Sequence, residues 1–194
     1  NSADDYLLLL EHSHVVTLGL RAKHEHVLED VEALGADLVR TNRGGDVTYH
    51  GPGQLVAYPI LSLQHGNVLA STPAYVHSVE QVVIDSLTEV GLTGCGRIPG
   101  LPGVWVDVDK NPRKIAAIGV RLTRGRTMHG LAINVDPDME WFNRIVPCGI
   151  ADFGVTSLAE EGISISVREL ADVVAKHCAK MWSDGLELSS PPIE

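Results

Sequence analysis

Helical periodicity occurs at two long stretches of this chain, and short strand-like runs fill most of the remainder. In TPAYVHSVEQVVIDSLTEVG, residues 72–91, Val76, Val79, Val83, Leu87 and Val90 fall on one face at helical spacing. Thr72 is expected as the N-cap ahead of Pro73, and Gly91 closes the helix. A second helix is expected over SVRELADVVAKHCAKMW, residues 166–182, opened by a capping box from Ser166 to Glu169. Its apolar face carries Val167, Leu170, Val174, Cys178 and Met181, so Cys178 reads as a structural core thiol. Both stripes read as core rather than as a cofactor site. The remaining apolar runs are short, rich in β-branched residues and bounded by glycine, proline or polar residues. They are DYLLLLE, HVVTLG, ADLVRT, DVTYH, QLVAYPILSL, GVWVDV, RKIAAIGVRL and TMHGLAINV. GVWVDV and RKIAAIGVRL are joined through DKNP as a hairpin, and a short helix is expected over DMEWFNRI. Many strands with two main helices predict a mixed α+β domain, not a doubly wound parallel sheet.

The 194 residues suit one domain, with no repeat, low-complexity tract or linker to divide them; residues 1–6 and 186–194 are expected to be loose ends. Apolar runs are too short for a membrane span, and NSADDYLLLLEH lacks the basic start and cleavage site of a signal peptide. Cys95, Cys148 and Cys178 are odd in number and widely spaced, which suggests neither a disulfide framework nor a CxxC pair, and a cytoplasmic setting. A net charge of −10 argues against a general nucleic-acid binder. Between Asp109 and Asp136, however, no acid occurs, while Lys110, Arg113, Lys114, Arg121, Arg124 and Arg126 supply six of the 15 basic residues. Such a stretch could dock an acidic partner, or be an ordinary solvated loop.

Three features carry candidate chemistry. Lys114 abuts Ile115, Ala116, Ala117 and Ile118, where an ammonium is poorly solvated and costly unless paired or neutralised. A lysine snorkelling from a strand end is the plain alternative. Cys148, in VPCGI, sits on a turn between proline and glycine rather than on a periodic apolar face. As a nucleophile it would need a neighbouring cation or base, and either a histidine or Lys114 could serve. The glycine-rich RGGDVTYHGPGQLVAYP suggests turns that approach something closely, with Arg43 able to clamp an anion and His50 to orient a polar group. It lacks the GK[ST] of a P-loop, the GxGxxG fingerprint and the GxSxG elbow. The pairs His12/His14 and His24/His26 have an alternate spacing that could bind zinc, but no further ligand completes a set, so no metal site is expected.

Taken in order, RGGDVTYHGPGQLVAYPI, RKIAAIGVRLTRGRTMHGLAINV and FNRIVPCGI resemble the lipoyl(octanoyl) transferases, octanoyl-[acyl carrier protein]:protein N-octanoyltransferases of lipoate biosynthesis. LLLLEHSHVVTLG and VTSLAEE extend the resemblance from about Leu7 to Glu161. Two departures stand out: family members usually carry a further strand and helix before LLLLEH, and Ser13 stands where proline commonly follows EH. The resemblance implies the fold of biotin and lipoate protein ligase catalytic domains, a mixed, largely antiparallel sheet with flanking helices. It implies Cys148 as acyl acceptor and Lys114 as its partner. It implies a substrate pocket built from Arg43, Gly44, Gly45, Asp46, Val47, Thr48, Tyr49 and His50, from Ala117, Ile118 and Gly119, and from Gly130, Leu131 and Ala132, with His12 nearby.

The implied reaction is a two-step acyl transfer without a cofactor. Octanoyl-acyl carrier protein is the donor, and the acceptors are lipoyl domains of 2-oxoacid dehydrogenase complexes and the glycine cleavage H protein. Backbone N–H groups near Gly119 or Gly130 would receive the oxyanion. Leu131, Ile118 and Val47 would line the channel for the acyl chain. The alternatives are an ATP-dependent lipoate- or biotin-type protein ligase of the same fold, and a non-catalytic acyl binder.

Overall fold

The structure, a computed structural model, describes residues 4–63, 71–149 and 153–182; the side chain of Cys148 lies outside that description. Among the described residues, ten strands and three α-helices follow in the order β1 (Tyr6–Leu10), β2 (Val15–Leu18), β3 (Asp37–Arg40), β4 (Val47–His50), β5 (Gln54–Ile60), α1 (Thr72–Glu89), β6 (Gly96–Ile98), β7 (Leu101–Val106), β8 (Arg113–Thr123), β9 (Arg126–Asn134), α2 (Glu140–Asn143), β10 (Gly154–Val155) and α3 (Val167–Trp182). The architecture is α+β with a largely antiparallel sheet, as expected. None of the described helices is long and apolar enough to cross a membrane.

The larger sheet runs β1-β5-β9-β8-β7-β6, with β10 added to β8 in parallel. β9 pairs with β8 only from Ala116 to Thr123. β7 takes the other edge at Arg113 and Lys114, so β10 fills the edge that β9 leaves free there. One face of this sheet buries Leu55, Val104, Ile115 and Ile133 against Val79, Val83 and Leu87 of α1 and Leu170, Val174 and Cys178 of α3. The capping box of α3 forms as expected: Glu169 N donates to Ser166 Oγ and Ser166 N to Glu169 Oε2.

The smaller sheet, β3-β2-β4, is parallel between β2 and β3 and antiparallel between β2 and β4. Val16, Leu18, Val47 and Tyr49 pack there against Trp141 and Phe142 of α2 and Ile145, forming a second core.

Several expectations shift. Ser71, not Thr72, caps α1, accepting from Ala74 N at 3.4 Å, which leaves Pro73 within the first turn, where no N–H is needed. Asp5 Oδ1 accepts from Ser62 N at 2.6 Å and Tyr6 opens β1, while residues 1–3 and 186–194, expected as loose ends, lie outside the described residues. Strands β6 and β10 were not expected: three residues and two residues are too short to show alternation.

Candidate active site

Side chains alternate across a strand, so the run Asp46–His50 can give only every second residue to one side. Asp46, Thr48 and His50 line a cavity of about 500 Å³ between the two sheets. Val47 and Tyr49, expected in the pocket, are fully buried in the second core instead. Tyr49 stacks on Trp141 with ring centroids 5.4 Å apart, and its hydroxyl meets His14 Nδ1 at 2.8 Å. Val47 is therefore not a channel residue. Across the cavity lie the register pairs Ala117↔Ala132 and Gly119↔Gly130 of β8 and β9, whose small side chains leave the space open. Ile118 and Leu131 also border it.

Lys114 is 5% exposed and lines the same cavity. Its backbone is held from both edges of β8, opposite Trp105 of β7 and Val155 of β10, and its carbonyl accepts from Thr156 N at 3.0 Å. Nζ lies 4.6 Å from the centroid of the Trp105 ring, a cation–π contact. The stem runs over Gly103, where an added Cβ would meet Lys114 Cε at 3.2 Å and the Ala116 carbonyl oxygen at 2.7 Å. Gly103 N donates to Glu80 Oε1 at 3.1 Å, and Arg97 Nε donates to Oε2 of that buried carboxylate at 2.9 Å. α1 thus fixes the backbone on which the lysine rests.

The backbone of Cys148 lies in a 3-10 turn, Pro147–Gly149, and Gly149 lines the cavity that Lys114 lines. Five residues beyond that turn, β10 pairs with β8 at Arg113 and Lys114, so the chain carrying the cysteine is tied to the strand carrying the lysine. The turn rests on a polar pair: His26 Nδ1 and Asp46 Oδ2 are 2.9 Å apart, and a Cβ on Gly149 would lie 2.7 Å from that oxygen. Val146 N donates to the His26 carbonyl at 2.8 Å, which zips residues 26–28 to residues 144–146.

Arg43 is 8% exposed. Its Nε and Nη2 donate to Thr17 Oγ1 at 3.1 and 2.8 Å, Nη2 donates to the Thr17 carbonyl at 2.6 Å, and Nη1 to the Gly44 carbonyl at 3.0 Å. The guanidinium ties β2 to the glycine-rich loop while lining the cavity. Gly44 N in turn donates to the Val120 carbonyl at 3.1 Å, docking the loop on β8.

A third wall is a cluster of rings. His50 Nδ1 lies 2.7 Å from Gln54 Oε1, and His12 Nε2 lies 2.9 Å from the Tyr58 hydroxyl. Burial pushes the His50 imidazole down to about 4, the Gln54 bond opposing and the charges of His12 and Arg43 adding to the fall. Burial lowers His12 as well and raises Tyr58. His50 and Tyr58 line the cavity, and His12 stands behind Tyr58.

Thr17, Tyr58 and His129, which lie inside the quoted motifs without standing out in them, also line the cavity, as do Arg21, Thr41, Leu101 and Pro102. Val76 packs against the large core as expected and also borders the cavity from α1. These residues are far apart in the chain, and only the packing of the two sheets collects them. The basic stretch also divides. β8 is eleven residues long, which separates Lys110 and Arg113 from Arg124 and Arg126 by roughly 33 Å. Arg113 pairs with Glu161 at 2.9 Å, and Arg126 Nη1 donates to the Asp4 carbonyl at 3.2 Å. The six basic residues therefore form no single surface. Among the described residues, no group of three or more His, Cys, Asp or Glu could hold a metal.

Residues 1–179 match the family of lipoyl protein ligase A/B catalytic domains. The chain is 48% identical over 184 residues to an octanoyltransferase of Solibacter usitatus, covering 93% of this chain and 80% of that protein. It is 50% identical over 182 residues to an octanoyltransferase of Chloroflexus aggregans, covering 90% and 80%. Among solved structures, a bipartite lipoate protein ligase from Thermoplasma acidophilum superposes with a TM-score of 0.79 at 16% identity, covering 98% of this chain and 76% of that one. A biotin protein ligase from Aquifex aeolicus superposes with a TM-score of 0.53 at 19% identity, covering 86% and 69%. At those identities the likeness concerns the fold.

Proposed function

Because the chain belongs to the lipoyl protein ligase A/B catalytic-domain family, we propose that it is an octanoyltransferase that works through a cysteine thioester. The Cys148 thiolate attacks the thioester of an octanoyl carrier protein, forming S-octanoyl enzyme and releasing the carrier thiol. A lysine amine of a lipoyl domain then attacks the new thioester, and the amide product leaves with Cys148 restored. The first step exchanges one thioester for another and is nearly balanced; amide formation draws the sequence forward.

The observation that carries this reading is the meeting of Lys114 and the Pro147–Gly149 turn at one cavity, with β10, which follows the turn, paired to the lysine strand. Lys114 would stabilise the thiolate and move protons at sulfur, a role for which general acid–base catalysis contributes about 10²–10⁴-fold. The cavity volume of about 500 Å³ lies within the usual range for small-molecule sites. Ile118, Leu131, Val76 and Leu101 supply apolar wall for the acyl chain. Each buried methylene contributes about 0.8 kcal/mol, so the depth of that wall sets chain-length preference.

Intact-mass analysis after mixing with octanoyl carrier protein tests the proposal. An octanoyl adduct is expected on the wild type and not on Cys148→Ala. Product from octanoate, ATP and a lipoyl domain, with no adduct from the carrier protein, would instead support an ATP-dependent ligase.

A further inference from the structure

A chain of buried amides crosses the floor of the site and ends on a ring that faces the cavity. Asn134 Nδ2 donates to the Thr156 carbonyl at 2.9 Å. Gln54 Nε2 donates to Asn134 Oδ1 at 2.9 Å and to the Tyr49 carbonyl at 3.3 Å. Gln54 Oε1 faces His50 Nδ1 at 2.7 Å. Gln54, Asn134 and Thr156 are 2%, 4% and 1% exposed, so water does not relieve a mismatched bond.

The direction of this chain is dictated from both ends. The Thr156 and Tyr49 carbonyls can only accept. Asn134 must therefore turn its NH₂ to Thr156 and its oxygen to Gln54, and Gln54 must turn its NH₂ inward and its oxygen to His50. His50 Nδ1 then has to carry the proton. A neutral imidazole in this tautomer leaves Nε2 with a lone pair, and among the described residues nothing donates to it. The same Thr156 bonds through its N–H to the Lys114 carbonyl, so one backbone segment sets both the lysine strand and the histidine tautomer.

An acceptor-only ring does not suit the first half of the reaction proposed above. There the carbonyl oxygen and the departing carrier sulfur both need a donor. In the second half the nucleophile is an amine, which has N–H groups to offer and a proton to lose. We propose that His50 Nε2 accepts an N–H of the incoming amine and takes its proton as the acyl group leaves Cys148. The C–N bond forms, the C–S bond breaks, and the proton ends on the Cys148 sulfur, restoring a thiol and a neutral imidazole. Lys114 serves sulfur; His50 serves nitrogen. Arg43 disfavours an ammonium near His50 and equally a charge on the ring, so the incoming amine is neutral and the imidazole holds the proton only in passing, before the sulfur receives it.

This inference rests on the thioester reading, and separating the two half-reactions tests it. Enzyme is loaded with octanoyl carrier protein, mixed with a lipoyl domain, quenched at intervals and weighed. His50→Asn keeps a donor where Nδ1 sits and removes the Nε2 lone pair, whereas His50→Gln places an amide near Nε2. In His50→Asn the ratio of adduct decay to adduct loading should fall roughly a hundredfold, with a smaller fall in His50→Gln. Loading itself reports that each variant is folded. Unchanged ratios in both variants, or loading slowed as much as decay, overturn the role of His50 alone. No adduct on the wild type overturns the thioester reading and this inference with it.

Discussion

The two cores that enclose the cavity are built on different terms. The larger one, under the seven-stranded sheet, is mostly aliphatic: Tyr75 apart, residues such as Leu55, Val83, Leu87, Ile133 and Leu170 have no polar atoms to orient, and many rotamer sets would fill that space. The smaller one buries Tyr49, Trp141 and Phe142 and is rimmed by directed contacts, Tyr49 to His14, Arg43 to Thr17 and Asp46 to His26. Buried hydrogen bonds fix direction in a way that apolar burial does not. The large core thus holds the domain together, while the small sheet, helped by the Gln54–Asn134–Thr156 chain and the Lys114 strand at the edge of the large core, aims groups into the cavity.

The largest expected effect comes from the aliphatic side. Ile133→Ala should cost about 2–5 kcal/mol of unfolding free energy, measured by urea titration, while the folded fraction still forms the octanoyl adduct at an undiminished rate. A slowed rate per folded molecule would mean that the large core also tunes the chemistry, and the division would fail.

The next effect lies in the ring cluster and is electrostatic. His50 is held at about 4 in the folded chain against 6.5 when unfolded. On acidification the unfolded state takes up a proton that the folded state refuses, so stability is lost as pH falls from 6.5 toward 4 and is unaffected well above 6.5. Between pH 7 and pH 5 this amounts to about 2 kcal/mol. His12 and His129 are lowered too and act in the same direction. Comparing the slope of stability against pH in wild type and His50→Gln isolates the single ring. A slope unchanged by that substitution would place the acid sensitivity elsewhere.

How much of this was visible in the sequence follows the same division. The aliphatic half was legible because its periodicity is local: the faces of α1 and α3, the capping box and the DKNP hairpin all appear as expected. The glycine-rich motif marks the right neighbourhood, but only as a block. Strand alternation along DVTYH alone separates Asp46, Thr48 and His50 from Val47 and Tyr49. No such rule finds Thr17, Tyr58 or Leu101, whose place in the wall depends on how two sheets pack. Nor could the amide chain from Thr156 to His50 be seen, since it joins residues from four separate segments.

The finest test sets two glycines against each other. Gly149 and Gly162 have φ of +70° and +80°, so alanine at either is strained by about 1–2 kcal/mol. They differ in what surrounds them. At Gly162 an added Cβ meets nothing within 4 Å, whereas at Gly149 it would meet Asp46 Oδ2 at 2.7 Å and His26 Cε1 at 3.3 Å. Gly162→Ala should therefore lower stability and leave adduct formation as it was. Gly149→Ala should lower stability by a similar amount and also push the Pro147–Gly149 turn off the His26–Asp46 pair. Misplacing a reacting group by an ångström can cost up to about a hundredfold, so adduct formation in Gly149→Ala should slow by roughly ten- to a hundredfold. Equal rates in the two variants would show that the polar pair merely fills space beneath the cysteine turn. A deficit confined to Gly149→Ala would show that the small sheet aims the nucleophile as well as the walls around it.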